Sequence, residues 1–432
     1  RNGNRMVIPA SNTKLVVAAA AAVLLPPDWK VETSLYGTGP IRDGTLVGHL
    51  VLYGRGDPTM SRRCYQRDTL AVGACTQDPF SGLRTLVDQL RARGIRTVAG
   101  DLVGDGSWFE PEILHPTWET GDVPWWYAAP VSGLGLTDNS LEILVDPGAS
   151  GGPARITPWP VVDAYAIENR TRTVALGEAR TFNTRWEGNR LVLTGGVPEG
   201  TAARREYLAV VDPARYTAGV FRQLLSEAGI AVQGATRSTT DSLLYQAARS
   251  SAPLGAVSSR PVSDWLVPIL STSQNWFAEM LLKQLGRQFG ASGSWDEGLR
   301  VTRRFLIDSV GVDSTQFSLR DGSGLSTVDL VTPETFVRLL TWMRRHPSYP
   351  VFAAGLPVAG ETGTLRSRFV GTGLEGRVMA KTGTLTSGNT LSGYLQRRKG
   401  GMLVFSIQAN HHAIGGRAMV AAIDSALAII GR

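Results

Sequence analysis

Eleven consecutive apolar residues, Leu15 to Leu25 ("LVVAAAAAVLL"), constrain the fold of this chain more than any other stretch. The run is too short to cross a bilayer, which takes about 20 residues. It is also apolar on every face, so as a helix it has to be surrounded by protein. Pro26-Pro27 ends it. Arg1, Arg5 and Lys14 beside this run resemble the charged region of a secretory signal, but "PPDWKVETSLYG" stands where small residues and a cleavage site belong. The expectation is a buried helix over residues 11–25, with any export signal already removed.

A chain of 432 residues has room for about three ordinary domains. After the first helix come alternating stretches, "VETSLYG" and "TLVGHLVLYG", that predict strands. Residues 81–103 pair a helical period (Leu83, Leu86, Val87, Leu90) with the strand "GIRTVAGDLVG". A similar unit recurs at 217–234, with Val220, Phe221, Leu224 and Leu225 ahead of "GIAVQG". The two units are expected in two small modules, the second holding most of the strand-rich stretch 140–212. From about 252 the texture changes to long helical patterns, then to consecutive strands and a closing helix. Helices segregated beside strands joined by short turns indicate an α+β fold, an antiparallel sheet covered by helices.

The net charge of +7 permits attraction to a polyanion. The arginines are scattered and no aromatic-basic motif accompanies them, so nucleic acid is not expected as a partner. Peripheral association with an anionic envelope polymer or membrane surface fits the charge as well as nucleic acid does, and an ordinary solvated basic surface fits it best. Cys64 and Cys75 share one polar stretch and read as one disulfide, which implies an oxidising compartment. No metal-ligand spacing is present, and His411 and His412 read as loop residues.

The chemistry begins with the lysines, of which the chain has five among 44 basic side chains. A lysine can act as a proton acceptor when burial or a neighbouring cation lowers its pKa, whereas arginine cannot. Ser11 and Lys14, three apart, share one face of a helix and can hydrogen-bond. At a helix N-terminus, Ser11 also has free backbone N–H groups around it. A second lysine stands in Lys381-Thr382-Gly383-Thr384, set in an expected strand. That strand offers a cation, two hydroxyls and a backbone N–H beside a glycine that admits a ligand close to the main chain. A third element, Ser273-Gln274-Asn275, precedes the helical "WFAEMLLKQLG"; the other Ser-x-Asn, Ser387-Gly388-Asn389, falls in an expected hairpin turn.

In that order, Ser-x-x-Lys, Ser-x-Asn and Lys-Thr-Gly resemble the motif set of penicillin-recognising serine enzymes. Further stretches ("GRGDPT", "APVSGLGLTDNSL", "DGSGLS", "LPVAGETGTL" and "AKTGTLTSGNTLSGYL") are similar to the class C low-molecular-mass penicillin-binding proteins, a D-Ala-D-Ala carboxypeptidase and endopeptidase family. The resemblance implies a penicillin-binding/β-lactamase-like transpeptidase domain with two nested inserts. It would place the catalytic domain at 1–30 and 252–432, inserted domain II at 31–60 and 140–251, and nested domain III, with the cysteines, at 61–139.

By the same resemblance Ser11 is the nucleophile and Lys14, neutral before attack, its base. Ser273 relays a proton to the leaving amine and Asn275 binds Lys14 or the substrate amide. Lys381, Thr382 and Thr384, with Gly383 and Leu385 on the same strand, hold the terminal carboxylate, and the N–H groups of Ser11 and Thr384 form the oxyanion hole. Trp108 and Glu110 approach the side chain of the stem peptide. No cofactor or metal is implied. The implied substrates are peptidoglycan stem peptides ending in D-Ala-D-Ala, met outside the cytoplasm, with β-lactams as covalent inhibitors. Two departures stand out: Gln274 lies where the family often has Asp or Asn, and the family's N-terminal strand is expected to be absent or cut short. A serine β-lactamase and a non-hydrolytic penicillin-recognising sensor are the alternatives. No Tyr-x-Asn favours the first, and the full set of reactive groups disfavours the second.

Overall fold

The computed structural model describes residues 2–63, 65, 78–386 and 388–431. Cys64 and Cys75 lie outside the described residues, as does Ser387.

The apolar run forms the helix Lys14–Leu24, entered through a tight turn at Ala10–Thr13. Leu25 is extended, as the residue before a proline tends to be, and the helix stops there. Residues Leu15 to Ala21 are at most 1% exposed. The alanines let the helices Val262–Leu270, Asn275–Phe289 and Tyr349–Ala354 all pack against this one. Full burial of each of Leu15, Val16 and Val17 contributes about 1.5–3 kcal/mol. The run is the buried helix expected from the sequence, and its residues belong to the largest core.

Beside this core stands an antiparallel sheet of three strands, Val378–Leu385, Gly388–Gln396 and Met402–Asn410, paired in sequence order. The helices Pro333–Arg345 and Gly416–Ile430 pack on it. The residues ahead of Ser11 make one bridge, Val7 to Val331. They are also tied by Asn410, whose side chain accepts from the Ile8 N–H at 2.6 Å and donates to the Ile8 carbonyl at 3.1 Å.

The helical texture expected beyond about 252 begins as two helices, Val262–Leu270 and Asn275–Phe289, broken at Ser271–Gln274. Ser273 takes φ +63°, a left-handed backbone that ends one helix and redirects the chain into the next. The Ser-x-Asn motif therefore sits on the break itself.

The stretch between the catalytic segments pairs differently from the expected division. A five-stranded sheet runs in the order Thr236–Thr239, Leu102–Asp105, Leu50–Tyr53, Glu32–Gly37, Gly255–Ser258. The boundaries placed at 60/61, 139/140 and 251/252 all separate strands of this one sheet. The two similar helix-strand units pack side by side: the helices Ser81–Ala92 and Pro213–Glu227 touch, and Ala231 and Val232 pair in parallel with Thr97 and Val98. The physical reason is that both faces of Leu50–Tyr53 and Leu102–Asp105 are buried, so each strand needs a partner on both edges as well as cover on both faces. The strand-rich stretch forms two further three-stranded sheets centred on Ser140–Asp146 and Arg190–Pro198.

Candidate active site

Ser11 lies in the turn ahead of the buried helix, and Lys14 is the helix's first residue. Ala10 before them is held at φ +48°, a strained conformation for a residue with a Cβ. Gly324 is pressed against it: a Cβ at Gly324 would lie 1.9 Å from the Ala10 carbonyl oxygen. The turn is clamped further where Thr390 Oγ1 donates to the Pro9 carbonyl at 3.0 Å. These contacts offset the strain and fix the direction of the serine.

Lys14 is fully buried, and its Nζ lies 2.9 Å from Ser11 Oγ, 2.7 Å from Asn275 Oδ1 and 2.7 Å from the Ser323 carbonyl oxygen. Two of these neighbours, an amide oxygen and a backbone carbonyl, can only accept. A neutral amine satisfies both with its two N–H groups and turns its lone pair to the Ser11 hydroxyl. Burial pushes Lys14 down to about 7, opposed by the charges of Asp321 and Glu279. At neutral pH the base form is therefore well populated.

The other two motifs meet this pair from opposite sides. Asn275 opens the helix Asn275–Phe289; its Nδ2 donates to the Tyr127 carbonyl at 2.7 Å while its Oδ1 receives Lys14. Ser273 Oγ accepts from Lys381 Nζ at 2.8 Å, and Lys381 also donates to the Thr382 carbonyl at 2.7 Å. Burial, and then the nearby Lys14, hold Lys381 well below the usual lysine range. Gly383 lets the strand lie against the serine turn: a Cβ there would be 3.0 Å from the Ser11 nitrogen, 2.9 Å from the Pro9 oxygen and 2.2 Å from Thr390 Oγ1. Thr382 Oγ1 donates to Thr364 Oγ1 at 2.9 Å, and Thr384 is exposed on the open side of the strand, followed by the partly exposed Leu385.

The structure thus brings Ser11, Lys14, Ser273, Asn275, Lys381, Thr382, Gly383 and Thr384 to one place. Trp108 and Glu110 are engaged further along the same helix. Glu110 Oε1 lies 3.1 Å from Lys283 Nζ and accepts from the Trp295 N–H at 3.0 Å; Trp108 Nε1 donates to Gln284 Oε1 at 3.1 Å beneath the Arg287 guanidinium. Gln274, the departure in the second motif, uses both ends of its amide. Its oxygen caps the helix by accepting from the Trp276 N–H at 3.1 Å, and its nitrogen donates to Asp138 Oδ2 at 2.8 Å. Asp138 also holds Ser61 and Arg63, so this residue ties the motif to the inserted sheets.

Several contributors carry no motif of their own. The carbonyls of Ser323 and Tyr127 are backbone groups, which every residue has, so no letter marks them. The "DGSGLS" stretch could have marked the first, because its buried Asp321 accepts from the N–H groups of Gly324 (2.7 Å) and Ser326 (2.8 Å) and so shapes that loop. His412 is in a loop, as read, but its Nε2 lies 3.0 Å from Asn389 Oδ1, and Asn389 Nδ2 donates to Thr384 Oγ1 at 3.3 Å.

The family model for the D-Ala-D-Ala carboxypeptidase 3 (S13) family matches residues 1–429. A D-alanyl-D-alanine carboxypeptidase of Actinomadura sp. (strain R39) is 35% identical over 427 residues, spanning 96% of this chain and 75% of that protein. The D-alanyl-D-alanine carboxypeptidase DacB of Haemophilus influenzae is 24% identical over 427 residues, 96% of this chain and 82% of its own length. Among solved structures, penicillin binding protein 4 from Haemophilus influenzae superposes with a TM-score of 0.85 at 23% identity, covering 99% of this chain and 91% of that one, and so has the same fold.

Proposed function

We propose, for a chain that belongs to the D-Ala-D-Ala carboxypeptidase 3 (S13) family, that Ser11 is the nucleophile and Lys14 the general base. The protein is a serine-type D-Ala-D-Ala carboxypeptidase of peptidoglycan, acting outside the cytoplasm, with a penicillin-binding/β-lactamase-like fold. The observation that carries the residue assignment is the buried Lys14 amine, 2.9 Å from Ser11 Oγ with both other neighbours acceptors.

In this reading Lys14 takes the Ser11 proton as Oγ attacks the carbonyl of the penultimate D-Ala. The N–H groups of Ser11 and Thr384 receive the oxyanion. The proton leaves through Ser273 to the amine of the departing D-Ala, and water then hydrolyses the ester on Ser11. Thr382, Thr384 and Lys381 hold the terminal carboxylate; its negative charge would draw Lys381 back to the ammonium form that burial disfavours. Asn275 orients Lys14. Trp108 and Glu110 wall the region of the third stem residue, where the partly exposed Glu110 carboxylate, already paired with Lys283, would be shared with a free amino group. A β-lactam would form the same ester. Residues 1–30 with the chain beyond the five-stranded sheet act as the catalytic unit, and the segment between them as an insert braced through Asp138.

Intact-mass spectrometry after incubation with a penicillin, beside Ser11→Ala, tests the assignment, followed by D-Ala release from a stem pentapeptide. A persistent adduct on the wild type alone, with D-Ala released, supports it. An adduct without release indicates a sensor, rapid loss of the adduct a β-lactamase, and an adduct on Ser11→Ala rejects Ser11.

A further inference from the structure

Glu279, one turn beyond Asn275 on the same helix, is a fully buried carboxylate that touches neither Ser11 nor Lys14 directly. Among the described residues it only accepts hydrogen bonds: from the Gly322 N–H at 2.9 and 3.1 Å, the Ser323 N–H at 2.7 Å and the Trp295 Nε1–H at 2.9 Å. Such a set of donors suits an anion, since a protonated carboxyl would aim an O–H at another donor. Ser323, whose N–H is clamped here, is also the residue whose carbonyl receives Lys14 at 2.7 Å. Gly322 is needed for this approach, because a Cβ there would lie 2.9 Å from the Ala278 carbonyl and 3.0 Å from Leu282 Cβ.

We propose that Glu279 is a positioning residue for acylation: its carboxylate holds the 321–324 loop so that the Ser323 carbonyl seats Lys14, and its charge adds to that of Asp321 in raising the basicity of that amine against burial. The proposal rests on the reading of Lys14 as the base. Lys14 faces Asn275 and Glu279 from one helix, Asp321 and the Ser323 carbonyl from the loop, Lys381 from the strand and Ser11 on its own turn. Glu279 in turn feels Asp321 and Asp329, both acidic, and Lys283. Burial and Asp321 push Glu279 up to about 7, opposed by its hydrogen bonds from Ser323, Gly322 and Trp295.

The sign of the effect separates this role from packing alone. An anion near Lys14 favours its ammonium form, so removing the anion lowers the pKa of the base. The acid limb of the acylation profile should then move to lower pH, even as the loosened loop slows the reaction. The experiment measures the second-order rate of Ser11 acylation by a chromogenic cephalosporin from pH 5 to 9 for the wild type, Glu279→Gln and Glu279→Asp. Glu279→Gln is expected to be slower by about 10- to 100-fold on its plateau, with its acid limb displaced downward. Glu279→Asp keeps the charge but retracts it, so its plateau falls while its limb stays near the wild type's. A Glu279→Gln profile with unchanged plateau and limb overturns the proposal, and a lowered plateau with an unmoved limb overturns the electrostatic half. If Glu279→Gln does not fold, Glu279→Asp decides, and wild-type rates in that variant reject the role. Retained acylation in Lys14→Met would instead reject Lys14 as base, a failure visible without any Glu279 variant.

Discussion

Two buried lysines meet the helix Asn275–Phe289, one at its first residue and one at its middle, and their surroundings differ in one decisive respect. Lys14 meets its first residue, Asn275; Lys283 lies eight residues on, about 12 Å along the axis. Burial lowers both, Lys14 to about 7 and Lys283 to about 8. Lys283, however, lies 3.1 Å from the Glu110 carboxylate, donates to the Glu112 carbonyl at 2.8 Å and sits 3.5 Å from the Trp295 ring centroid. Lys14 has a hydroxyl where Lys283 has a carboxylate. Desolvation alone therefore does not make a base; the third neighbour has to be a group with a proton to give.

The same substitution at both positions is the sharpest way to break this comparison. Lys14→Arg should lose acylation by about 10²- to 10⁴-fold, because guanidinium cannot accept the Ser11 proton, while the protein stays folded. Lys283→Arg should keep acylation within a few-fold and show its effect in thermal stability instead. Equal loss of acylation in the two variants would put both lysines in the machinery.

The next largest effect is expected at Gly383→Ala, where the added methyl meets Thr390 and the serine turn. Overpacking there should cost about 1–3 kcal/mol of stability and slow acylation by roughly 100-fold through displacement of Ser11. Denaturant unfolding and acylation kinetics on one preparation would separate the two losses.

The pH dependence sharpens the difference between a base and an ion pair. As base, Lys14 has to be neutral, so kcat/KM for D-Ala release should fall as the pH drops below about 7. Stability behaves differently. Both lysines have folded-state pKa values below their unfolded ones, so the unfolded chain binds more protons in between. Their contribution to stability is fully present above about 10.5 and is lost as pH falls, towards about 8 for Lys283 and about 7 for Lys14. Lys283→Met should flatten the rise of Tm between pH 8 and 10.5 without moving the limb in kcat/KM.

The smallest effect is expected at Glu110→Gln. It weakens the pair with Lys283, and it should reduce by a few-fold the preference for stems with a free amino group at the third residue. Competition between stems with and without that amine would measure it; an unchanged preference would confine Glu110 to packing.

Much of the fold was legible because helices announce themselves locally. The run after Lys14 and the period at Leu83 to Leu90 each form where expected. Strand partners were not legible: nothing local says that Leu102–Asp105 pairs with both Leu50–Tyr53 and Thr236–Thr239. That choice is made by which buried faces the whole chain can cover at once.

The chain by itself determined the reactive groups, a serine and lysine one helical turn apart and a lysine, threonines and glycine on a strand, because each spacing is enforced within a few residues. Tertiary structure decided what those groups can do. It turned Ser273 through a left-handed backbone toward Lys381, brought Asn275 across 261 residues to Lys14, and supplied the carbonyls of Ser323 and Tyr127. The basicity of an amine depends on the desolvation and the acceptors around it, and those come from segments that meet only when the chain is folded.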